Sequence, residues 1–494
     1  MLSNFDRKTN MSRGVAIKSV RWTASGNMVR TILATIQLLI VARLVSVAEF
    51  GLAVLVSSLV MLAQQISDAG FSSALIRFRD VTAGEKSSLF WFNALIGLVL
   101  SIVVALLGPS LARAFASERL VAMLYIVAPV FLAQGLYLQL RVLAEREMRF
   151  ADVVKLEITS ACGGFAVTVS LAVLGYGAFS VAWGQMANVI IQLALSWAFL
   201  TRDWRPEFHF QWQEISRFVP YGFDIFLVNL TTSLTIQLDV LISGLFFPKD
   251  VFGSFAQPRD LCLKVMSSIN PVVTRVGLPV IAQLQDDPVR AGEVYLRVIR
   301  MSASVCFPIY AGMALLAGDL LPALLGRQWT EAAALMPYIA LWFAFRCIVN
   351  PLGSYMYAMG RSRHALWYQV AFATVVAVAA YIGSQFGAVI LAMSMAVAYL
   401  IFSEVCWFFV LRPISHVRFM AYHRQIYIPL LCTMLGAFTV ELIRGAFSNG
   451  LWPLVGGLVA GGAVFSIASL TMNRTAVGEV SKLLGLSKFI SSRQ

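Results

Sequence analysis

Six cations interrupt the apolar stretches of this chain: Arg30, Arg43, Arg259, Lys264, Arg275 and Arg346. Placed centrally in a membrane helix, such a residue costs about 2.5–3.5 kcal/mol, so it usually faces water or a partner. Arg43 and Arg259 fall near the expected outer ends of their segments and Arg275 near an inner end, from which a long side chain reaches the interface. Arg30, Lys264 and Arg346 lie deeper and are expected to line an aqueous cavity, where surplus positive charge favours an anionic ligand. Helical spacing puts Asn27, Arg30 and Gln37 on one stripe, Lys264 and Arg275 on another, and Asp224, Thr231 and Thr235 on a third. For the threonines, hydrogen bonding between helices is the plainer expectation. The in-helix anions are Asp68, Glu157, Asp224, Asp239, Asp260, Glu404 and Glu441. Of these, Asp224, Asp239 and Glu404 are candidates for pairing with the cations or for ion coupling.

The composition says what surrounds these charges. The 494 residues are 59% hydrophobic and only 13% charged, whereas soluble domains carry roughly a quarter charged residues. Apolar blocks of about twenty residues recur throughout, the length that crosses a ~30 Å hydrocarbon layer. The net charge of +13 follows from loop Lys and Arg, and no basic tract or aromatic platform indicates nucleic acid. Six cysteines sit in apolar blocks without CxxC spacing and read as small buried hydrophobes. Four histidines, His209, His364, His416 and His423, lie in or beside polar loops without metal spacing. No cofactor or metal is expected. No P-loop, GxSxG elbow or large outer loop suggests an enzyme. The longest non-helical outer stretch is expected over Gly318 to Ala332. The basic, polar start is no signal peptide, and the first apolar block is expected to remain as helix 1.

Fourteen helices are predicted, over 24–46, 50–69, 88–108, 120–140, 156–174, 179–200, 218–245, 253–281, 301–317, 333–358, 365–384, 387–410, 426–443 and 450–472. Of the 38 Lys and Arg, 27 fall in the segments that share a side with both termini, 5 in the opposite loops and 6 within helices. That asymmetry predicts cytoplasmic termini.

Short matches suggest an internal duplication. Phe50-Gly51 recurs as Phe252-Gly253, 202 residues on, and Tyr176-Gly177-Ala178 as Phe386-Gly387-Ala388, 210 residues on. A six-helix unit repeats in parallel, giving two lobes about a central cleft and suiting alternating access. The expected organisation is an N-terminal lobe over 1–200, a cytoplasmic linker over 201–217, a second lobe over 218–411, an extra helix pair over 412–472 and a cytoplasmic tail over 473–494.

Several motifs carry a family resemblance. They are Ser19-Val20-Arg21-Trp22, Ala42-Arg43-Leu44, Glu49-Phe50-Gly51 and Asp68-Ala69-Gly70-Phe71-Ser72-Ser73-Ala74-Leu75-Ile76-Arg77. Further on come Glu145-Arg146-Glu147-Met148-Arg149-Phe150, Arg217-Phe218, Arg275-Val276-Gly277-Leu278-Pro279-Val280, Leu284-Gln285-Asp286-Asp287-Pro288, Leu325-Gly326-Arg327-Gln328-Trp329 and Ala358-Met359-Gly360-Arg361. Through them the chain resembles the Wzx-type polysaccharide flippases of the multidrug/oligosaccharidyl-lipid/polysaccharide (MOP) exporter superfamily, most of all the succinoglycan-type exopolysaccharide transport proteins. Phe255-Ala256-Gln257-Pro258 departs from the family, which usually has Tyr and no Pro there.

The resemblance implies an all-α protein of the bacterial inner membrane that flips an undecaprenyl-diphosphate-linked oligosaccharide, for exopolysaccharide or lipopolysaccharide biosynthesis. It also implies association with membrane lipids, a polysaccharide polymerase and a chain-length regulator. Arg30, Lys264 and Arg346 are then candidates to meet the diphosphate. The rival readings are a peptidoglycan-precursor flippase or drug antiporter of the same superfamily, and a membrane polysaccharide polymerase.

Overall fold

The computed structural model describes the backbone of residues 2–68, 70–78, 80–201, 204–446, 451–473 and 478, and their side chains except at 2–21, 24, 73, 270–279, 362–363 and 451–454. Among the described residues every regular element is helical. The chain divides into two compact units, Met1–Ala256 and Gln257–Gln494.

The first unit holds α1 (Leu2–Leu44), α2 (Val47–Asp68), α3 (Phe71–Arg77), α4 (Ala83–Ala114), α5 (Arg119–Val127), α6 (Pro129–Arg146), α7 (Phe150–Val173), α8 (Phe179–Phe199), α9 (Trp212–Ser216), α10 (Val219–Phe246) and the start of α11 (Lys249–Ala282). Within it α1 packs on α7, α7 on α8, α4 on α6, and α10 on α2. The second unit continues with the rest of α11, α12 (Pro288–Leu325), α13 (Thr330–Val349), α14 (Pro351–Ala358), α15 (Ser362–Gln385), α16 (Ala388–Cys406), a π turn (Trp407–Leu411), α17 (Arg412–Ser415), α18 (Phe419–Ala446) and α19 (Leu451–Met472). Here α12 packs on α13 and α18, α13 and α15 on α16, and α18 on α19.

Thirteen helices among the described residues are long and apolar enough to cross a membrane. The fourteenth expected span lies in α11 (Lys249–Ala282), whose side chains at 270–279 are outside the described residues. The stretch from Gly318 to Ala332, expected to be non-helical, is helical apart from a break at Gly326: α12 runs on to Leu325 and α13 starts at Thr330. Leu320, Leu321, Leu324 and Leu325 extend the apolar helix, and Gly326 stops it at φ 106°. Gly177 and Gly387, matched in the proposed duplication, both take positive φ, 56° and 107°, a region L side chains rarely adopt.

The duplicated Phe-Gly pairs meet in space. A Cβ built on Gly51 would lie 2.9 Å from the Phe252 ring and 3.0 Å from the Gly253 nitrogen; one on Gly253 would lie 2.0 Å from the Val47 carbonyl oxygen. Only glycine permits this approach of α2 to the start of α11.

The segment before α10, expected as a linker, is strapped to the start of α4. Thr82 and Glu85 form a reciprocal capping box there. Glu85 also accepts from Arg217 (2.7 Å), which donates to the Asp80 carbonyl (2.6 Å). The Trp91 indole donates to the Glu207 carbonyl (2.8 Å), and Ser88 donates to Glu214 (2.6 Å). The Ser88 bond, aided by His209, holds the Glu214 carboxyl below the usual carboxylate range against partial desolvation. A lowered folded-state pKa contributes stability above the ordinary value, and that contribution disappears as pH falls through the lowered one. Amide exchange over residues 207–216 is therefore expected to be faster in Ser88→Ala than in the parent at pH 7, and the difference to shrink without vanishing at a pH below the ordinary carboxylate range, because Ser88 Oγ also accepts from the Gln211 N–H (3.0 Å). An equal difference at both pH values would mean that Glu214 is not the charged group involved.

Candidate functional site

Charge converges inside the first unit on Glu157 of α7. Arg30 of α1 donates through Nη1 to Glu157 Oε2 (2.5 Å) and Arg141 of α6 through Nη2 to Glu157 Oε1 (3.0 Å). One turn on, Glu145 accepts from Arg141 Nε (3.0 Å). The carboxylate is the recessed member, with 10% of its side chain exposed, while the Arg30 side chain is 42% exposed. Two guanidinium groups on separate helices thus share one oxyanion. Planar, forked donors of this kind suit carboxylate and phosphate oxygens alike.

The stripe predicted on α1 turns toward α7 at two of its positions. Arg30 meets Glu157, and Gln37 Nε2 lies 3.4 Å from Thr168 Oγ1, while Asn27 is exposed. On α10, Thr231 and Thr235 bond back to the Leu227 and Thr231 carbonyls of their own helix (both 2.7 Å), and among the described residues neither bonds to a neighbouring helix as expected. The shorter hydroxyl reach to the i−4 carbonyl accounts for this. Asp224 is exposed and Asp239 is buried. Arg43 is exposed at the end of α1, as a snorkelling side chain would be.

In the second unit Arg346 of α13 is 4% exposed. Its guanidinium carbon lies 5.3 Å from the Phe343 ring centre and 5.7 Å from that of Tyr399 on α16, and Nη1 has no hydrogen-bond partner among the described residues. Cation–π contacts are worth about 2 kcal/mol when desolvated, so two rings offset much of the cost of burial without neutralising the charge. Arg259, expected to snorkel, is instead only 1% exposed and donates from Nη1 to Asp260 (2.9 Å). Lys264 is half-buried. The Arg275 side chain lies outside the described residues, as does most of the expected tail. Glu404 of α16 accepts from His423 of α18.

Arg141, Glu145 and His423 were missed as site candidates, and Glu157 reads from the sequence only as an in-helix anion. Arg141 reads as a loop cation if helix 4 ends at 140, but α6 continues to Arg146; its i,i+4 spacing with Glu145 is the available signal. His423 was expected beside a loop, but α18 begins at Phe419 and buries it. Cys162 is exposed, unlike the other five cysteines.

The sequence family described as "Polysaccharide biosynthesis protein" matches residues 40–334, more than half of the chain. The chain is 26% identical over 446 residues to the teichuronic acid biosynthesis protein TuaB of Bacillus subtilis (strain 168), covering 87% of this chain and 90% of that one. It is 21% identical over 419 residues to the lipopolysaccharide biosynthesis protein WzxC of Escherichia coli (strain K12), covering 84% and 85%. It is 23% identical over 447 residues to the succinoglycan biosynthesis transport protein ExoT of Rhizobium meliloti (strain 1021), covering 88% and 89%. The inward closed conformation of the lipid II flippase MurJ superposes with a TM-score of 0.74 at 14% identity, over 93% of this chain and all of that one. An inward-facing MATE family transporter of the MOP superfamily gives 0.63 at 14% identity, over 78% and 95%. ExoT is named a transport protein, MurJ a flippase and the MATE protein a transporter, and a multi-pass location in the bacterial inner membrane accords with them and with thirteen membrane-length helices among the described residues. The chain belongs to the polysaccharide biosynthesis protein family and shares its fold with the solved MurJ and MATE structures.

Proposed function

We propose that the chain flips an undecaprenyl-diphosphate-linked oligosaccharide repeat unit from the cytoplasmic to the periplasmic leaflet, for exopolysaccharide or lipopolysaccharide biosynthesis. The sugars and diphosphate are too polar to cross lipid unaided, while the polyprenyl tail is at home in it. An alternating-access cleft lined by cations and open toward the bilayer serves both parts.

The observation that carries this reading is the Glu157 carboxylate shared between Arg30 and Arg141. The arrangement already holds an oxyanion with two guanidinium groups, and the substrate's diphosphate takes Glu157's place on them. Lys264 and Arg346 supply further positive charge along the route, with Arg43 and Arg275 toward the span ends, while Arg259 stays buried against Asp260. Asp224, Asp239 or Glu404 carries a coupling ion. The partners are the anionic glycolipid, membrane lipids and, downstream, a polymerase and its chain-length regulator.

The test is deletion of the gene in its host. Complete lipid-linked repeat units of the secreted polymer are expected to accumulate on the inner leaflet, and the wild-type gene to clear them. Accumulation of the peptidoglycan precursor instead would move the reading to that glycolipid. If the polymer keeps its normal abundance with no precursor build-up, the proposal fails.

A further inference from the structure

The geometry around His423 points to a proton-binding site that joins α16 to α18. His423 Nδ1 lies 2.9 Å from the Phe419 carbonyl oxygen, and Nε2 lies 2.9 and 2.8 Å from the two carboxylate oxygens of Glu404. A carbonyl oxygen can only accept, so Nδ1 carries a hydrogen. A neutral imidazole with its hydrogen on Nδ1 has a bare lone pair on Nε2, and that lone pair would face two carboxylate oxygens. The contact is attractive only when a second proton is present. Nearly equal distances to both oxygens suit one N–H donor shared by an ionised carboxylate. We infer that His423 is held as an imidazolium against Glu404, and that the pair binds one proton more than neutral histidine and ionised glutamate would separately. This follows from local geometry and does not depend on which substrate the chain transports.

The surroundings isolate that proton. His423 is 2% exposed, and the Glu404 side chain is 41% exposed. The imidazole lies 3.8 Å from the Phe419 ring centre and 5.5 Å from that of Tyr427. On α18, Tyr422 donates to the Ser403 carbonyl (3.3 Å). On α16, Cys406 is buried, as is Tyr295 of α12. From α17, the Arg412 guanidinium is placed over the Trp407 and Phe408 rings at 5.9 and 5.5 Å. Among the described residues Glu404 has no ion-pair partner besides His423. The π turn at Trp407–Leu411 follows α16 directly, and the Trp407 indole donates to the Val417 carbonyl (3.2 Å), so backbone irregularity sits beside the pair. Such turns recur at functional positions. With the proton gone, the lone pair of Nε2 opposes the carboxylate and the contact between the two helices loosens.

The chain has four histidines, which makes the site readable by ¹⁵N-histidine NMR on the full-length protein in nanodiscs. The His423 signal is identified by its disappearance in His423→Gln, or in His423→Asn if the first variant does not accumulate. At pH 7 it is expected to show two N–H groups in the parent and one in Glu404→Gln. Amide exchange over residues 419–427 is expected to be at least tenfold faster in Glu404→Gln, with α12 and α13 unchanged. A singly protonated His423 in the parent overturns the proposal, and so does a doubly protonated one that persists in Glu404→Gln. Unchanged exchange over 419–427 overturns the link between the two helices.

Discussion

Replacing Arg30 and Lys264 together by Gln is expected to lower export of the lipid-linked oligosaccharide at least a hundredfold while leaving the protein inserted and abundant. Hydrogen bonds to charged groups contribute about 1.5–3 kcal/mol each, so losing two amounts to about 3 kcal/mol or more, and each 1.4 kcal/mol is a factor of ten. Folding should tolerate the change for a local reason. Glu157 keeps Arg141 as its partner when Arg30 is gone, so no buried carboxylate is stranded. Lys264 is half-buried in α11, and removing its charge from an apolar setting relieves a burial cost. The measurements are polymer yield in a deletion strain and the amount of protein in the membrane fraction. Normal export by the double variant would remove these residues from the transport route. Loss of export together with loss of protein would show a structural role instead.

The same substitution, glycine to alanine, is expected to act with opposite signs at two positions. At Gly253 the new methyl would stand 2.0 Å from the Val47 carbonyl oxygen and 2.7 Å from its carbon, both backbone atoms of α2. Neither can rotate away as a flexible side chain would, so the two helices must move apart. Overpacking of this kind costs about 1–3 kcal/mol, and backbone contact puts Gly253→Ala at the upper end. At Gly312, inside α12, a methyl group would meet nothing within 4 Å among the described residues. There the helix gains about 0.5–1 kcal/mol, because alanine loses less conformational freedom than glycine. Thermal unfolding of the two purified variants in one detergent is expected to shift the midpoint down for Gly253→Ala and slightly up for Gly312→Ala. A parent-like midpoint for Gly253→Ala would mean that the Phe-Gly contact is not a tight one.

Gly253 also shows how much the sequence reveals. The repeated Phe-Gly pair marks corresponding places in two halves, and hydropathy reads the helices closely enough to find α10 and α19 within a residue. Neither signal says that Gly51 and Gly253 touch, because helix contacts depend on which faces pack. The charges behave likewise. Arg30 is visible as an in-helix cation, but its partner is 127 residues away on α7, and no periodicity connects them. Arg141 and His423 were hidden by helix ends. α6 outlasts its most apolar part by one and a half turns, and α18 starts two turns before its own. A hydropathy minimum there resembles a loop, although the backbone remains helical. Arg346 was legible as a buried cation. The aromatic rings that hold it, Phe343 one turn away and Tyr399 on another helix, were not.

The most direct test of the central claim is flipping by the purified chain in proteoliposomes that carry a fluorescent undecaprenyl-diphosphate-linked oligosaccharide. The wild type is expected to speed movement of the labelled glycolipid between leaflets, and the Arg30→Gln, Lys264→Gln variant to leave it at the rate of protein-free vesicles. A wild-type rate no faster than that of protein-free vesicles, or a double variant as fast as the wild type, would contradict a flippase that grips the diphosphate through Arg30 and Lys264.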